Sequence, residues 1–142
     1  MASTNSQTLE AMWDYLSTLN STSSDAAIQK YLDFFTPTAT VYLSGMSQPP
    51  TTSHALLTTA IKTLLTYYSH LDRKIIHHVE GEDGSVVNTM ENKLLIAGEV
   101  VEGLKECEVV KFEDGKISEY LLYVDPAPIM AVFAKKGTEG KE

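Results

Sequence analysis

The sequence predicts an α+β domain. Three N-terminal helices pack on a curved, mainly antiparallel sheet, forming a cone-shaped α+β barrel with an interior pocket. Two observations lead there. Apolar residues recur at three- and four-residue steps as far as Tyr68, and from Arg73 onward the period changes to two. Gly98 and Gly103 then interrupt the long strand-forming stretches, where bends or bulges let a sheet wrap around helices.

The elements follow in chain order. Thr4 and Gln7 have capping-box spacing, and Leu9, Met12, Trp13, Leu16 and Leu19 make residues 5–20 an amphipathic helix. Asn20 to Ser24 is a turn-rich break. Ser24 or Asp25 caps a second helix whose Ile28, Tyr31, Leu32 and Phe35 share a face, and Pro37 ends it. Thr38 to Ser44 alternates and is β-branched, hence a short strand. Residues 45–53, with Gly45, Pro49 and Pro50, read as a loop. From Ser53, Leu56, Leu57, Ala60, Ile61, Leu64, Leu65 and Tyr68 define a third helix. Arg73–Gly81, Ser85–Ala97, Glu99–Phe112 and Lys116–Asp125 are strands joined by short turns, among them Glu82 to Gly84 and Asp114-Gly115. Pro126 and Pro128 stop regular pairing.

Composition sets the outer bounds. The 142 residues suit one domain, expected over residues 1–134, with residues 135–142 (KKGTEGKE) as a loose tail. At 43% hydrophobic residues the chain can bury a core. There are 19 acidic side chains against 11 basic ones, a net charge of -8, and a single arginine, Arg73. Nucleic acid and anionic lipid both need clustered positive charge, so neither is an expected partner. Lone Cys107 excludes an intrachain disulfide framework and Cys-based zinc sites. The four histidines are scattered without helical i, i+4 pairing, so no metal is expected. The stretch MASTNSQTLE shows no signal-peptide pattern, and the expected location is cytoplasmic.

Several phrases carry a family resemblance. They are Tyr15-Leu-Ser-Thr-Leu-Asn20, Phe34-Phe-Thr-Pro-Thr-Ala-Thr-Val41, Val109-Val-Lys-Phe-Glu-Asp-Gly-Lys-Ile117 and Tyr120-Leu-Leu-Tyr-Val-Asp125. With the order of elements, they make residues 5–130 resemble the nuclear-transport-factor-two-like superfamily, which includes SnoaL-like polyketide cyclases and ketosteroid isomerases. The resemblance implies the cone fold, a homodimer and chemistry without a cofactor. It implies little about the reaction, because the fold hosts many.

Residue by residue, the isomerases' oxyanion-hole tyrosine corresponds to Tyr15 and their protonated acid to Glu108. Leu43 stands where they carry the general-base aspartate. Asp125, matching a carboxylate common in SnoaL-like proteins, and His78 are the substitute candidates for moving a proton. Asp125 also suits an Asx cap before Pro126. Strict alternation places Leu104, Glu106, Glu108, Val110 and Phe112 on one face, and Ile117, Glu119, Leu121, Tyr123 and Asp125 on another. Glu106, Phe112 and Tyr123 are therefore candidate pocket walls, joined by Trp13 from the apolar stripe of the first helix and Tyr42 from the short strand. Burial of Glu106 and Glu108 together would hold one of them neutral.

The leading expectation is a cofactor-independent enzyme on a small apolar carbonyl, polyketide or terpenoid compound. It would isomerise, cyclise or dehydrate by acid/base proton transfer. Two alternatives are a non-catalytic ligand-binding or dimeric adaptor protein, and water activation as in epoxide hydrolases. The latter use an Asp–Arg–Asp arrangement, for which the only arginine lies on a different strand.

Overall fold

A computed structural model describes residues 3–44 and 48–139. The loop reading at Gly45 and the last three residues of the expected tail lie outside the described residues. Helices α1 (Thr4–Leu16), α2 (Asp25–Leu32) and α3 (His54–Tyr67) precede most of the sheet, with strand β1 (Phe35–Leu43) between α2 and α3. Strands β2 (Tyr68–Glu80), β3 (Val86–Ile96), β4 (Glu99–Glu113) and β5 (Lys116–Val124) follow, then helix α4 (Ala127–Glu139). The sheet order is β1-β5-β4-β3-β2; β1 runs parallel to β5, and the other neighbours are antiparallel.

Serine hydroxyls start three of the helices. Ser3, Ser24 and Ser53 each accept a hydrogen bond from a first-turn N–H, of Ser6, Ala27 and Leu56. The cap of α1 is thus Ser3, one residue before the capping-box reading. Pro37 lies in β1, and β1 is an edge strand, where a missing N–H costs no ladder bond.

Bulges bend the sheet and choose its inward residues. In β2 the register shifts past Leu71 and again past Ile76, and both side chains are exposed. In β5 it shifts past Ser118, between the pairs Lys111–Glu119 and Phe112–Ile117. A further shift in β4 falls beside Gly103, whose φ of 68° needs glycine. Each extra residue flips every side chain beyond it to the other face.

The last helix departs from the sequence reading. Residues 127–139 are helical, so the expected tail from residue 135 is ordered helix through Glu139. Pro126 and Pro128 end pairing after Val124, but they stand at a helix start, where first-turn N–H groups have no intrahelical partner to lose. Ile129 and Val132, three apart, bury against Ile96 and Leu104 as a second core. The main core lies between α1–α3 and the concave sheet, with Leu9, Phe35, Leu57, Ile61, Met90 and Ile117 at its centre.

Candidate functional site

Strand β4 sends two carboxylates inward. Glu108 is fully buried and Glu106 is 7% exposed. Alternation alone positions them, as Leu104 and Val110 on the same face are buried too.

Glu108 is saturated by donors. Trp13 Nε1 (2.8 Å) and Tyr120 Oη (2.9 Å) donate to Oε1, while Asn88 Nδ2 (2.8 Å) and Arg73 Nη2 (2.5 Å) donate to Oε2. The Arg73 side chain, itself 8% exposed, also grips Glu10 at 2.7 and 2.8 Å and lies 5.0 Å over the Trp13 ring. Asn88 is fixed in turn, its Oδ1 accepting from His78 Nδ1 at 2.6 Å. A buried charge with this many partners holds helix α1 and strands β2, β3 and β5 against β4 in one geometry.

Glu106 is different. One hydrogen bond, from Asn92 Nδ2 at 3.1 Å, reaches it. Its carboxyl lines an interior cavity of about 80 Å³ with Trp13, Tyr31, Tyr68, His70 and Tyr120 among the walls. Burial pushes this carboxyl up to about 7, against the Asn92 hydrogen bond, and the Glu108 charge adds to the rise. His70, near the start of β2, faces the same cavity, its ring 4.9 Å from that of Trp13. Its Nε2 is the one buried side-chain polar atom among the described residues without a hydrogen-bond partner. Burial lowers the His70 pKa, and the Arg73 charge adds to the effect, so the ring is neutral near pH 7. Burial also raises the Tyr68 and Tyr31 hydroxyls, which keeps both protonated.

Of the nine candidate residues, the structure brings Trp13 and Glu106 to the cavity and sets Glu108 directly behind it. Tyr15 is not beside Glu108: its hydroxyl donates to the Ala27 carbonyl at 2.7 Å and ties α1 to α2. Tyr120, from β5, supplies the tyrosine that Glu108 accepts from. The bulge at Ser118 explains the exchange. It turns Tyr120 and Leu122 inward, and it turns Tyr123 outward to 47% exposure. Tyr42 packs edge-on against Tyr123, ring centroids 6.2 Å apart, away from the cavity. Asp125 is exposed and accepts from Ala127 N at 3.1 Å, capping α4. His78 is on the rim of the sheet, bonded to Asn88 and Glu80. Phe112 packs on the main core.

His70 and Asn92 were missed. Periodicity ends the third helix at Tyr68 and starts the next strand at Arg73, leaving His70 between them, whereas α3 passes into β2 at Tyr68 without a loop. Bulges at Leu71 and Ile76 then put His70, Arg73, Ile75 and His78 on one face at uneven spacing, which strict alternation does not foresee. His54, at the start of α3, bonds the Phe35 and Thr36 carbonyls at 3.1 and 3.0 Å and locks α3 to β1. Among the described residues, no group of three or more His, Cys, Asp or Glu is placed to hold a metal ion, and no helix is long and apolar enough to cross a membrane.

No protein-family model matches the chain, and no curated protein matches it. Solved structures do. A nuclear-transport-factor-two-like protein of unknown function from Burkholderia pseudomallei is 17% identical with a TM-score of 0.74, the match covering 92% of this chain and 97% of that one. A steroid delta-isomerase from Pseudomonas aeruginosa is 20% identical, TM-score 0.61, covering 98% and 93%. An epoxide hydrolase of the LEH-like type from M. tuberculosis is 16% identical, TM-score 0.66, covering 90% and 87%. At such identities the likeness speaks for architecture, and with the element order and bent sheet above it shows that this chain has the nuclear-transport-factor-two-like fold.

Proposed function

We propose that the protein is a cofactor-independent enzyme that moves a proton beside the carbonyl group of an apolar polyketide- or terpenoid-like compound. One observation carries the reading. Glu106, with a pKa of about 7, and His70, with a free Nε2, face one apolar cavity. Ionised Glu106 is the base, poised because its pKa lies near the operating pH. Neutral His70 Nε2 hydrogen-bonds the carbonyl oxygen as negative charge develops there, in surroundings dry enough to strengthen the contact. Asn92 holds the Glu106 carboxylate in place. The proton then returns to another carbon to give an isomer, leaves as water with a β-hydroxyl to give a dehydration, or goes to the oxygen of a second carbonyl in the same molecule whose carbon the enolate has attacked, which closes a ring.

The nature of two of the structural neighbours, an isomerase and a hydrolase, is compatible with catalysis in such a cone. Activated water is the weaker alternative. Arg73 does lie between two carboxylates, Glu10 and Glu108, but none of the three is among the residues lining the cavity. Homodimerisation belongs to the same proposal, with the outer sheet face as the interface, where Ile76, Val79, Val100 and Tyr123 are exposed. Sedimentation analysis measures it directly.

Solvent deuterium exchange tests the chemistry. Methyl ketones, a 1,3-diketone and a β,γ-unsaturated ketone are incubated in D₂O, and exchange next to the carbonyl is followed by NMR. Exchange above the buffer rate is expected with wild type and lost with Glu106→Gln and His70→Phe. Undiminished exchange in both variants would overturn the assignment.

A further inference from the structure

The interior cavity is too small for the ligand its chemistry suits. Sites for drug-sized molecules are typically about 300–1,000 Å³, and this one is about 80 Å³. A second hollow of about 470 Å³ lies beside it, between α3, α4, β1 and the segment at Gln48–Thr51. Leu43, Leu64 and Tyr68 line both. The outer hollow is apolar on its α4 side, where Ile129 is buried, Met130 is 64% exposed and Phe133 is 37% exposed. Phe133 stands edge-on to Tyr67 at 5.9 Å and to Tyr68 at 6.3 Å, so α4 is joined to the tyrosine that both spaces share. Side chains with a polar group are few: Gln48, Thr51, Thr63 and the tyrosines Tyr67 and Tyr68.

We propose, resting on the proton-transfer reading of the inner cavity, that the two spaces are one bipartite site for an elongated, mainly apolar carbonyl compound. The carbonyl end passes between Leu43, Leu64 and Tyr68 to reach Glu106 and His70. The apolar body lies in the outer groove against Met130 and Phe133. Helix α4 is then the specificity element, reading the length and shape of the body, while β2 and β4 carry the chemistry. Three facts meet in this assignment: the shared walls, the mismatch in volume, and the large exposed apolar side chains that α4 turns toward the groove. Buried apolar surface along the body supplies affinity, and the inner polar groups supply orientation.

Trp13 is the sole tryptophan and lines the inner cavity, so its fluorescence reports arrival of the carbonyl end. The probes are methyl ketones from 2-butanone to 2-decanone, titrated into the full chain. The dissociation constant is expected to fall about fourfold for each methylene added, until the groove is filled. Met130→Glu changes an exposed side chain and leaves folding intact by circular dichroism. It is expected to shrink the ratio of 2-decanone to 2-butanone affinity at least tenfold. Thr63→Phe, which fills the groove from the exposed side of α3 and adds no second tryptophan, is expected to do the same without touching α4. A dissociation constant independent of chain length would overturn the bipartite site. So would a length dependence unchanged in both variants, or long ketones that bind by calorimetry without changing the Trp13 signal. These are binding readouts. Failure of deuterium exchange alone would sink the proton-transfer reading and leave the two-part site standing.

Discussion

Glu106 and Glu108 are two residues apart on one strand, point the same way and are both buried, yet they do opposite work. Glu108 accepts from Trp13, Asn88, Tyr120 and Arg73 and has nothing left to offer a ligand. Glu106 accepts one hydrogen bond and otherwise faces a cavity. Burial does not make a carboxylate a site. Incomplete satisfaction does, because only a group with unmet hydrogen-bonding capacity can respond to a substrate.

The largest test of this contrast is on the satisfied side. Glu108→Leu leaves Arg73 Nη2 and three other buried donors without their acceptor. It is expected to cost about 3–5 kcal/mol, seen as a lower midpoint in urea unfolding. Next comes Glu106→Gln. It is expected to lower proton-transfer rates by about 10²–10⁴ and yet to stabilise the protein at alkaline pH. The folded pKa of about 7 lies above the ordinary 4.5, so the ionised form is penalised in the folded state. Wild-type stability is therefore full below about 4.5 and falls as pH rises through about 7. The whole loss is on the order of 3 kcal/mol. Urea midpoints for Glu106→Gln should exceed wild type at pH 8 and match it at pH 4. If both glutamates behave alike in these two measurements, the contrast fails.

Smaller effects sharpen it. His70→Phe should slow exchange about a hundredfold to a thousandfold with no loss of thermal stability, since Nε2 makes no hydrogen bond to forfeit. Tyr15→Phe should cost about 1 kcal/mol, from the bond to Ala27, and leave exchange rates unchanged. Asp125→Ala removes the α4 cap and should cost about 0.5–1 kcal/mol, again without effect on exchange in short ketones.

Much of the fold was legible because local rules were obeyed. The shift from helical to strand periodicity, serines or neighbours before apolar runs, and Asp114-Gly115 as a turn each reflect short-range sterics and hydrogen bonding. The inward placement of Glu106 and Glu108 was legible too, since no bulge interrupts β4 between Leu104 and Val110. Tyr123 and Asp125 were misplaced by the one unforeseen residue at Ser118. Helix α4 was missed because its two prolines look like breakers, and its stability comes from Ile129 and Val132 meeting Ile96 and Leu104, partners more than 20 residues away.

The sequence by itself therefore determined the layers: helices before strands, one core, and two acids on a buried face of β4. Periodicity encodes these because each residue's environment repeats with its neighbours' geometry. Only the tertiary structure decided which acid was free. That choice depends on Arg73, Asn88, Trp13 and Tyr120, drawn from three strands and a helix, converging on Glu108 and leaving Glu106 with Asn92 and His70 at the cavity. Bulges at Leu71, Ile76 and Ser118 brought them there, and a bulge is a property of two paired strands rather than of either alone.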